Sequence, residues 1–584
     1  GFAGRVVYKA DGTVGDANGA VMTALLEAGA LLAKKNITHS YPHSWRSKAP
    51  LIFRTTPQWF IGLDQKAEGQ SKTLRELALE AIGETEWFPG IGANRIRGMI
   101  ESRPDWCISR QRAWGVPIAL FLEKATGAVL KDKAVLDSIA KAFDEEGADA
   151  WYRRPAQEFL GNAYRAADYI QVFDIVDVWF ESGATHAFCL DPELGATEWK
   201  ELRWPADLYL EGSDQHRGWF HSSLLESCGT TGRAPYNKVL THGFTLDEQG
   251  RKMSKSMGNV VAPQEVMDRL GADILRLWVV ASDYTQDLRI GPEILKQMGD
   301  LYRRFRNTLR YLLGALDGMN ANERMPVEDM PELERWVLHR LFEMDALIRA
   351  DIAKFDFNHM LTELHKFCNG DLSGFYFDVR KDSLYCDRPD NARRRAARTV
   401  MEHVFNHLAL WLSPFLCFTA EEAWLTWRND PNDSVHLHTF PSVPDNWRND
   451  ALGTKWEQIR NVRRVVTGAI ELARNDKIIG SSLQAKPKIQ LKESYKSCAE
   501  HVDFAEICIC SGIETNFVPE SEQLAAGCFS LPEVPGVGAT VRPAEGRKCE
   551  RCWQVLPEVG DQPGHPDLCH RCHDVIEHSG QVAA

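Results

Sequence analysis

Four cysteines near the end of the chain stand as two Cys-x2-Cys pairs, Cys549 with Cys552 and Cys569 with Cys572, separated by sixteen residues. Each pair puts two sulfurs on one side of a tight turn, and the spacer lets the pairs meet around a tetrahedral zinc ion. Four sulfurs fill such a site, so it is structural rather than catalytic. Two disulfides, or four unrelated thiols, are the alternative. The other ten of the fourteen cysteines are scattered singly and read as small buried hydrophobes of a reducing compartment, which disfavours it. His565, His570 and His573 lie nearby but are not needed as ligands. A second group is Lys252-Met253-Ser254-Lys255-Ser256, closed by Gly258. Two ammonium groups and two hydroxyls on one loop can neutralise a polyphosphate whose charge grows in a transition state. On charge alone, a solvated basic loop explains it as well.

Two further stretches place polar or aromatic residues at strand ends. In Leu208-Tyr209-Leu210-Glu211-Gly212-Ser213-Asp214-Gln215, an apolar strand ends at Glu211 and Gly212 permits a turn. Ser213 or Asp214 is then placed to cap a helix running to about Cys228. Glu211 there can accept hydrogen bonds from an ammonium group or a ribose, and polar groups at strand ends are where doubly wound sheets bind ligands. The second stretch, Asp177-Val178-Trp179-Phe180-Glu181-Ser182-Gly183, ends another strand; Trp106 and Trp114 precede it. Tryptophans so placed wall an apolar pocket or simply fill a core.

The elements that must position these groups come from a chain of 584 residues, enough for roughly three to five domains. Hydrophobic residues make up 44% and charged residues 26%, which excludes a disordered or fibrous chain. No apolar run reaches the ~18 residues of a membrane span, and no signal peptide is evident, so a cytoplasmic protein is expected. The net charge of −13 means that nucleic acid must be met by local patches. From Tyr41 to about Ile290 short strands alternate with helices, with a charged insertion at 123–170. From Glu293 to Trp427 the 3.6-residue period predicts a helical bundle. A Pro- and Asn-rich linker, a helix over Trp456 to Asn475, short strands and the cysteine-rich tail follow. Near the start, Val21 to Lys35 has helical spacing, but residues 1–40 hold too little to bury a core.

Arginine clusters lie at Arg303, Arg304, Arg306 and Arg310, at Arg393, Arg394, Arg395 and Arg398, and at Arg460, Arg463 and Arg464. With interleaved aromatics they suit phosphate contacts and base stacking. For any single cluster a solvated face is slightly favoured.

In order along the chain stand YPHSWRSKAPLIFRTTPQWF, RPDWCISRQRAWGVPI, DVWFESG, LEGSDQHRGWF, LTHGF, KMSKS and GADILRLW, then the helical region and the CxxC pairs. Together they resemble the bacterial-type isoleucyl-tRNA synthetases, class I aminoacyl-tRNA synthetases, over essentially the whole chain. The resemblance implies a multidomain fold. An incomplete Rossmann-type α/β nucleotide-binding catalytic domain is followed by an all-α bundle and a small C-terminal zinc module. Residues 1–45 would be the tail of an editing insertion, 46–292 the later part of the catalytic domain, and 293–445 an anticodon-binding domain. Residues 446–525 would form a junction domain and 526–584 the zinc module.

The implied activity is isoleucine–tRNA ligation. Isoleucine and ATP, with Mg2+, give the adenylate, and the acyl group passes to tRNA(Ile). Lys252 and Lys255 would be catalytic, and Lys255, Ser254, Ser256, His242 and Gly243 would hold ATP. Glu211, Asp214 and Gln215 would contact the adenylate, while Trp179 and Trp219 would line the isoleucine pocket. One structural zinc and a monomeric state are also expected. A pocket separates isoleucine from valine by only ~1–3 kcal/mol, this pair being the usual illustration of that limit, so editing is expected of the whole enzyme. Two departures matter. The family's HxGH motif occurs nowhere in the sequence, so the chain is expected to be a C-terminal part, inactive alone. Serines stand at Ser44 and Ser47 where the family often has cysteines, so a second zinc is not expected. The alternatives are a ligase for valine or another aliphatic amino acid, and a non-catalytic tRNA-binding module.

Overall fold

The structure, a computed structural model, describes residues 1–44, 47–53, 55–112, 114–191 and 201–582. Trp45, Arg46, Arg54 and Ala113, which belong to the stretches quoted above, lie outside the described residues. The chain divides into two compact units, residues 1–86, 93–209 and 214–238 in one, and 87–92, 210–213 and 239–584 in the other.

The first unit is mixed α/β. Its opening helix is Ala17–Glu27, earlier and shorter than the Val21–Lys35 expectation, because Gly29 at φ +68° turns the chain out of the helix. That helix buries no residue, in keeping with an opening segment too small to make a core. The helix Leu74–Glu84 starts with a reciprocal Thr73–Glu76 capping box and buries Ala78, Ala81 and Ile82. It packs on the helix Trp219–Thr231, where Gly229 leaves room for Leu74. Phe121–Glu123 pairs antiparallel with Tyr169–Gln171, and the charged stretch between them folds back over a core of its own. There the Lys133–Glu146 helix, N-capped by Asp132, packs Val135 and Ile139 near Trp151 and Phe159.

Two local expectations change in this unit. The stretch after Asp177 is a helix, Val178–Gly183, with Asp177 accepting from the Trp179 amide at 3.1 Å. The helix after Glu211 is not capped by Ser213 or Asp214. A 3-10 turn, Ser213–Arg217, intervenes, and the α-helix begins at Trp219 after Gly218, with no side-chain cap.

The second unit carries three paired strand segments, 239–242 between 87–88 and 210–212. Thr245–Leu246 pairs in parallel with Leu288–Arg289. Among the described residues, 292–428 contains helices and no strand. Long amphipathic helices such as Pro292–Leu316, Glu332–Ala353 and Ala392–Leu412 bury Phe305, Trp336, Phe375, Trp411 and Trp424 in a common core. Inside it Arg380, 2% exposed, forms a bidentate pair with the fully buried Glu334. Charges this deep are tolerated because each hydrogen-bonding group is matched. The helix after the linker runs Asp450–Asn475, starting six residues before its expected position because Asn449 caps it. It packs on a four-stranded sheet in which Lys488–Lys492 pairs parallel with Glu514–Val518 and antiparallel with Val534–Thr540. The cysteine pairs follow. No helix among the described residues is long and apolar enough to cross a membrane.

Candidate functional site

In the first unit the aromatic candidates come together. Trp219 stacks on Tyr209 with ring centroids 4.1 Å apart and planes 10° apart, and donates from Nε1 to Ser182 O at 2.9 Å. That bond ties the Trp219–Thr231 helix to the short helix carrying Trp179. A Cβ on Gly218 would lie 2.5 Å from Gln215 Oε1 and 2.9 Å from Trp179, so glycine is required for this approach. Gln215 Oε1 accepts from the Trp219 amide at 2.9 Å, and Gln215 donates to Asp214 Oδ2 at 3.4 Å. Trp179 is 43% exposed and borders a cleft of about 320 Å³ that Arg103, Arg110, Arg217 and His221 also line. Burial, with the Arg103 charge beside it, lowers His221 to about 4. Trp179 therefore edges an accessible cleft whose other walls are largely charged, with Asp105 and Asp177 beside the arginines, while Trp219 packs behind it on Tyr209 and Ser182.

One half-buried glutamate with a carboxyl oxygen shut from solvent was missed in the sequence. Glu226, on the helix Trp219–Thr231, packs its carboxyl against Gly183, where no side chain fits. Burial raises it to about 9, so it is a neutral acid at ordinary pH. A glutamate within an apolar helix offers no sequence signal of this.

The second unit holds Glu211, His242, Gly243 and the Lys252–Ser256 loop. Glu211 is exposed on the strand Tyr209–Gly212 and accepts from the Gly212 amide at 3.3 Å. His242 ends the strand Lys238–His242, its Nδ1 2.8 Å from Gly243 O. The Gly243 amide donates to Tyr284 O at 2.9 Å, and a Cβ there would collide with the Gln286 carbonyl. Glycine thus lets the strand end press on the 284–287 segment.

The lysine loop is braced by two residues outside the five. Asp247 accepts from the Arg251 amide at 2.7 Å, from Arg251 Nε at 2.8 Å and from Asn259 Nδ2 at 3.0 Å. These bonds, the Asn259 contact foremost, hold its carboxyl down to about 2. Asn259 also accepts from the Ser254 amide at 2.9 Å and donates to Lys252 O at 3.2 Å. Met253 anchors the loop in a small apolar cluster with Val266, Ile274 and Trp278. Ser254 and Ser256 hydroxyls lie 3.2 Å apart, and Gly258 at φ +64° closes the turn. Lys252 and Lys255 are exposed and make no ion pair among the described residues. A fixed frame with two free cations is suited to an anionic ligand. Asp247 and Asn259 are recognisable afterwards as short polar residues flanking a Gly-containing turn.

The four tail cysteines are gathered. All four Sγ atoms lie within 4.8 Å of one another, and no cysteine is more than 7% exposed. The Cys569 amide donates to Cys549 Sγ at 3.4 Å, tying the two pairs together. Soft, buried, converging sulfurs are the donor set of a tetrahedral thiolate site. His565 and His570 instead face carboxylates, Glu577, and Glu558 with Asp561.

The arginine clusters differ from a solvated face. Arg398 is 4% exposed, pairs with Glu323 and donates to Ala315, Leu316 and Asp317 carbonyls. Arg393 pairs with Glu506 and Asp387, and Arg460 with Asp371 while lying over Trp336 and Phe375. These residues build the fold. Arg306 and Arg310 stay unpaired among the described residues and border a cleft with Thr419 and Thr426.

Comparison with known proteins bears on the family of the chain. Residues 7–291 match the class I tRNA synthetases (I, L, M and V), and residues 334–489 match the anticodon-binding domain of tRNA ligases. The chain is 52% identical to an isoleucine–tRNA ligase of Mesorhizobium japonicum, over 98% of this chain and 56% of the relative. It is 54% identical to one of Gluconobacter oxydans, over 94% of this chain and 55% of the relative. The chain thus spans just over half the length of the curated relatives it matches. A Mycobacterium tuberculosis methionyl-tRNA synthetase in complex with methionyl-adenylate aligns at TM-score 0.48 and 17% identity over 69% of each chain. The chain belongs to the class I tRNA synthetases, in the group of the isoleucine–tRNA ligases.

Proposed function

We propose that this chain serves the activation of L-isoleucine by ATP and its transfer to the 3′ end of tRNA(Ile). The observation that carries the reading is the Lys252–Ser256 loop, braced by Asp247 and Asn259 with both lysines free. In this reading the isoleucine carboxylate attacks the α-phosphate, the adenylate forms and pyrophosphate leaves. Lys252 and Lys255 neutralise the charge that grows on the departing phosphates of Mg2+-bound ATP, with Ser254 and Ser256 as further donors. His242 and Gly243 flank the adenine, and Glu211 accepts from the adenylate, with Asp214 and Gln215 in support. Trp179 and Trp219 hold the isoleucine side chain. The reaction asks for positioning and charge stabilisation more than for a general base.

The α/β region would be the later part of a Rossmann-type nucleotide fold, and the helical bundle would hold the anticodon stem-loop. The four thiolates would hold one structural zinc, which fits their burial and spacing. The whole protein would act as a monomer and edit misactivated valine. Lys255→Ala in the whole protein tests the reading. It should slow adenylate formation at least about a hundredfold, as loss of an oxyanion-type donor does, and leave tRNA affinity nearly unchanged. Lost tRNA binding with intact adenylate formation would instead make the loop part of a tRNA-binding module.

A further inference from the structure

Both cysteine pairs have the form Cys-x-Arg-Cys, with Arg551 before Cys552 and Arg571 before Cys572. In the structure the two arginines reach the same corner of the helical bundle, the C-terminal end of the helix Phe377–Cys386. Arg551 Nη1 donates to Cys386 O at 2.6 Å and Nη2 to Tyr385 O at 3.1 Å. These are last-turn carbonyls without a partner inside their helix, so a guanidinium there satisfies them and opposes the negative end of the helix dipole. The same Nη1 lies 3.6 Å from Cys572 Sγ. Arg571 makes a bidentate pair with Asp382 at 2.5 and 2.9 Å and reaches the buried Asp387 at 3.2 Å. Cys386 joins the four tail cysteines in one buried cluster, its Sγ against Arg551 O.

We propose that the two Cys-x-Arg-Cys knuckles are a metal-set clamp: gathering the four thiolates is what aims Arg551 and Arg571 together at the end of the Phe377–Cys386 helix. The metal then fixes where the module sits on the bundle, besides folding the module itself. Each arginine is the immediate chain neighbour of a ligand, so its direction is set by the knuckle turn. Without the metal the knuckle turns lose their fixed geometry, and the two guanidiniums no longer leave them side by side. The helix end then loses its carbonyl cap and the bidentate partner of Asp382, while Asp387 keeps Ser383 and Arg393. The partner is thus a second part of this same chain. This inference rests on the proposed zinc site, and the experiment separates the two.

The test uses the 584-residue chain and reads metal content together with hydrogen exchange. Purified chain with about one zinc per molecule should protect the backbone amides of 383–391. Chelation should speed exchange there at least about tenfold, together with the tail. The Arg551→Ala/Arg571→Ala variant should keep its zinc, speed exchange at 383–391 to the same degree and expose to protease the connection 541–546, which joins the strand Val534–Thr540 to the cysteine-bearing tail. Arg551→Lys, which keeps the charge but cannot span both carbonyls and the sulfur, should lie between. A chain without zinc would sink the metal site itself. Zinc-loaded chain whose 383–391 exchange ignores both chelation and the arginine changes would overturn the clamp alone. So would an arginine variant that loses its zinc, since the arginines would then serve the site and not the dock.

Discussion

Asn259 donates to the Asp247 carboxylate at 3.0 Å and, through its own oxygen, accepts from the Ser254 amide at 2.9 Å. One side chain thereby joins the strand side of the lysine loop to its far side. Asn259→Ala should leave the fold near wild type, at a cost of about 1 kcal/mol, because the loop is peripheral. Its effect should fall on ATP: a raised KM for ATP and a pyrophosphate-exchange rate lowered about tenfold or more. Asn259→Asp, which keeps the acceptor but sets a second carboxylate beside Asp247, should be at least as damaging. Steady-state exchange kinetics of the whole protein with ATP varied decide it.

In the proposed reading, Gly218 limits the volume beside Trp179 in the amino-acid pocket. Gly218→Ala drives a methyl group into Gln215 and Trp179, which should displace the Trp179 ring. The expected outcome is a raised KM for isoleucine with that for ATP unchanged. Equal loss toward both substrates would place Trp179 outside the pocket.

Glu226 gives a pH prediction. An ordinary glutamate titrates at 4.5, whereas burial holds this one near 9. Between those values the folded chain keeps a proton that the unfolded chain has released. The favourable contribution is full below about 4.5 and disappears as pH rises through about 9. Glu226→Gln, neutral at every pH, should remove this slope and stabilise the first unit at pH 8 by about 1–3 kcal/mol. Denaturant unfolding at several pH values, followed by tryptophan fluorescence, checks it.

The bundle makes a sharper stability prediction. Removing Arg380 leaves Glu334 buried and uncompensated, so Arg380→Met should cost about 3–5 kcal/mol. Replacing both partners by apolar residues should recover most of that loss. Thermal unfolding of the single and double variants measures the difference.

The groups that could be read from the sequence are those whose chemistry is local. Two Cys-x2-Cys pairs and a five-residue lysine loop carry their meaning within a few positions, and the bundle shows itself by its period. What the sequence hid depends on partners far along the chain. Arg398 looked like surface charge because Glu323, which neutralises it, lies 75 residues away, and Arg380 meets Glu506 across 126. The helix after Glu211 was misplaced because Gly218, not a capping side chain, starts it once the 3-10 turn has redirected the chain. Trp179 looked like a strand end because Asp177, a good N-cap, follows a strand of only two residues.

The measurement that bears most directly on the central claim is isoleucine-dependent ATP–pyrophosphate exchange. It would be run with this chain alone and with the part of the Mesorhizobium japonicum relative that this chain does not match added as a separate polypeptide. The account predicts silence from the chain alone. The mixture should be active, prefer isoleucine to valine, and fall at least about a hundredfold when Lys255 is replaced by alanine. Exchange by the chain alone, or exchange in the mixture that ignores Lys255→Ala, would contradict the role given to the Lys252–Ser256 loop.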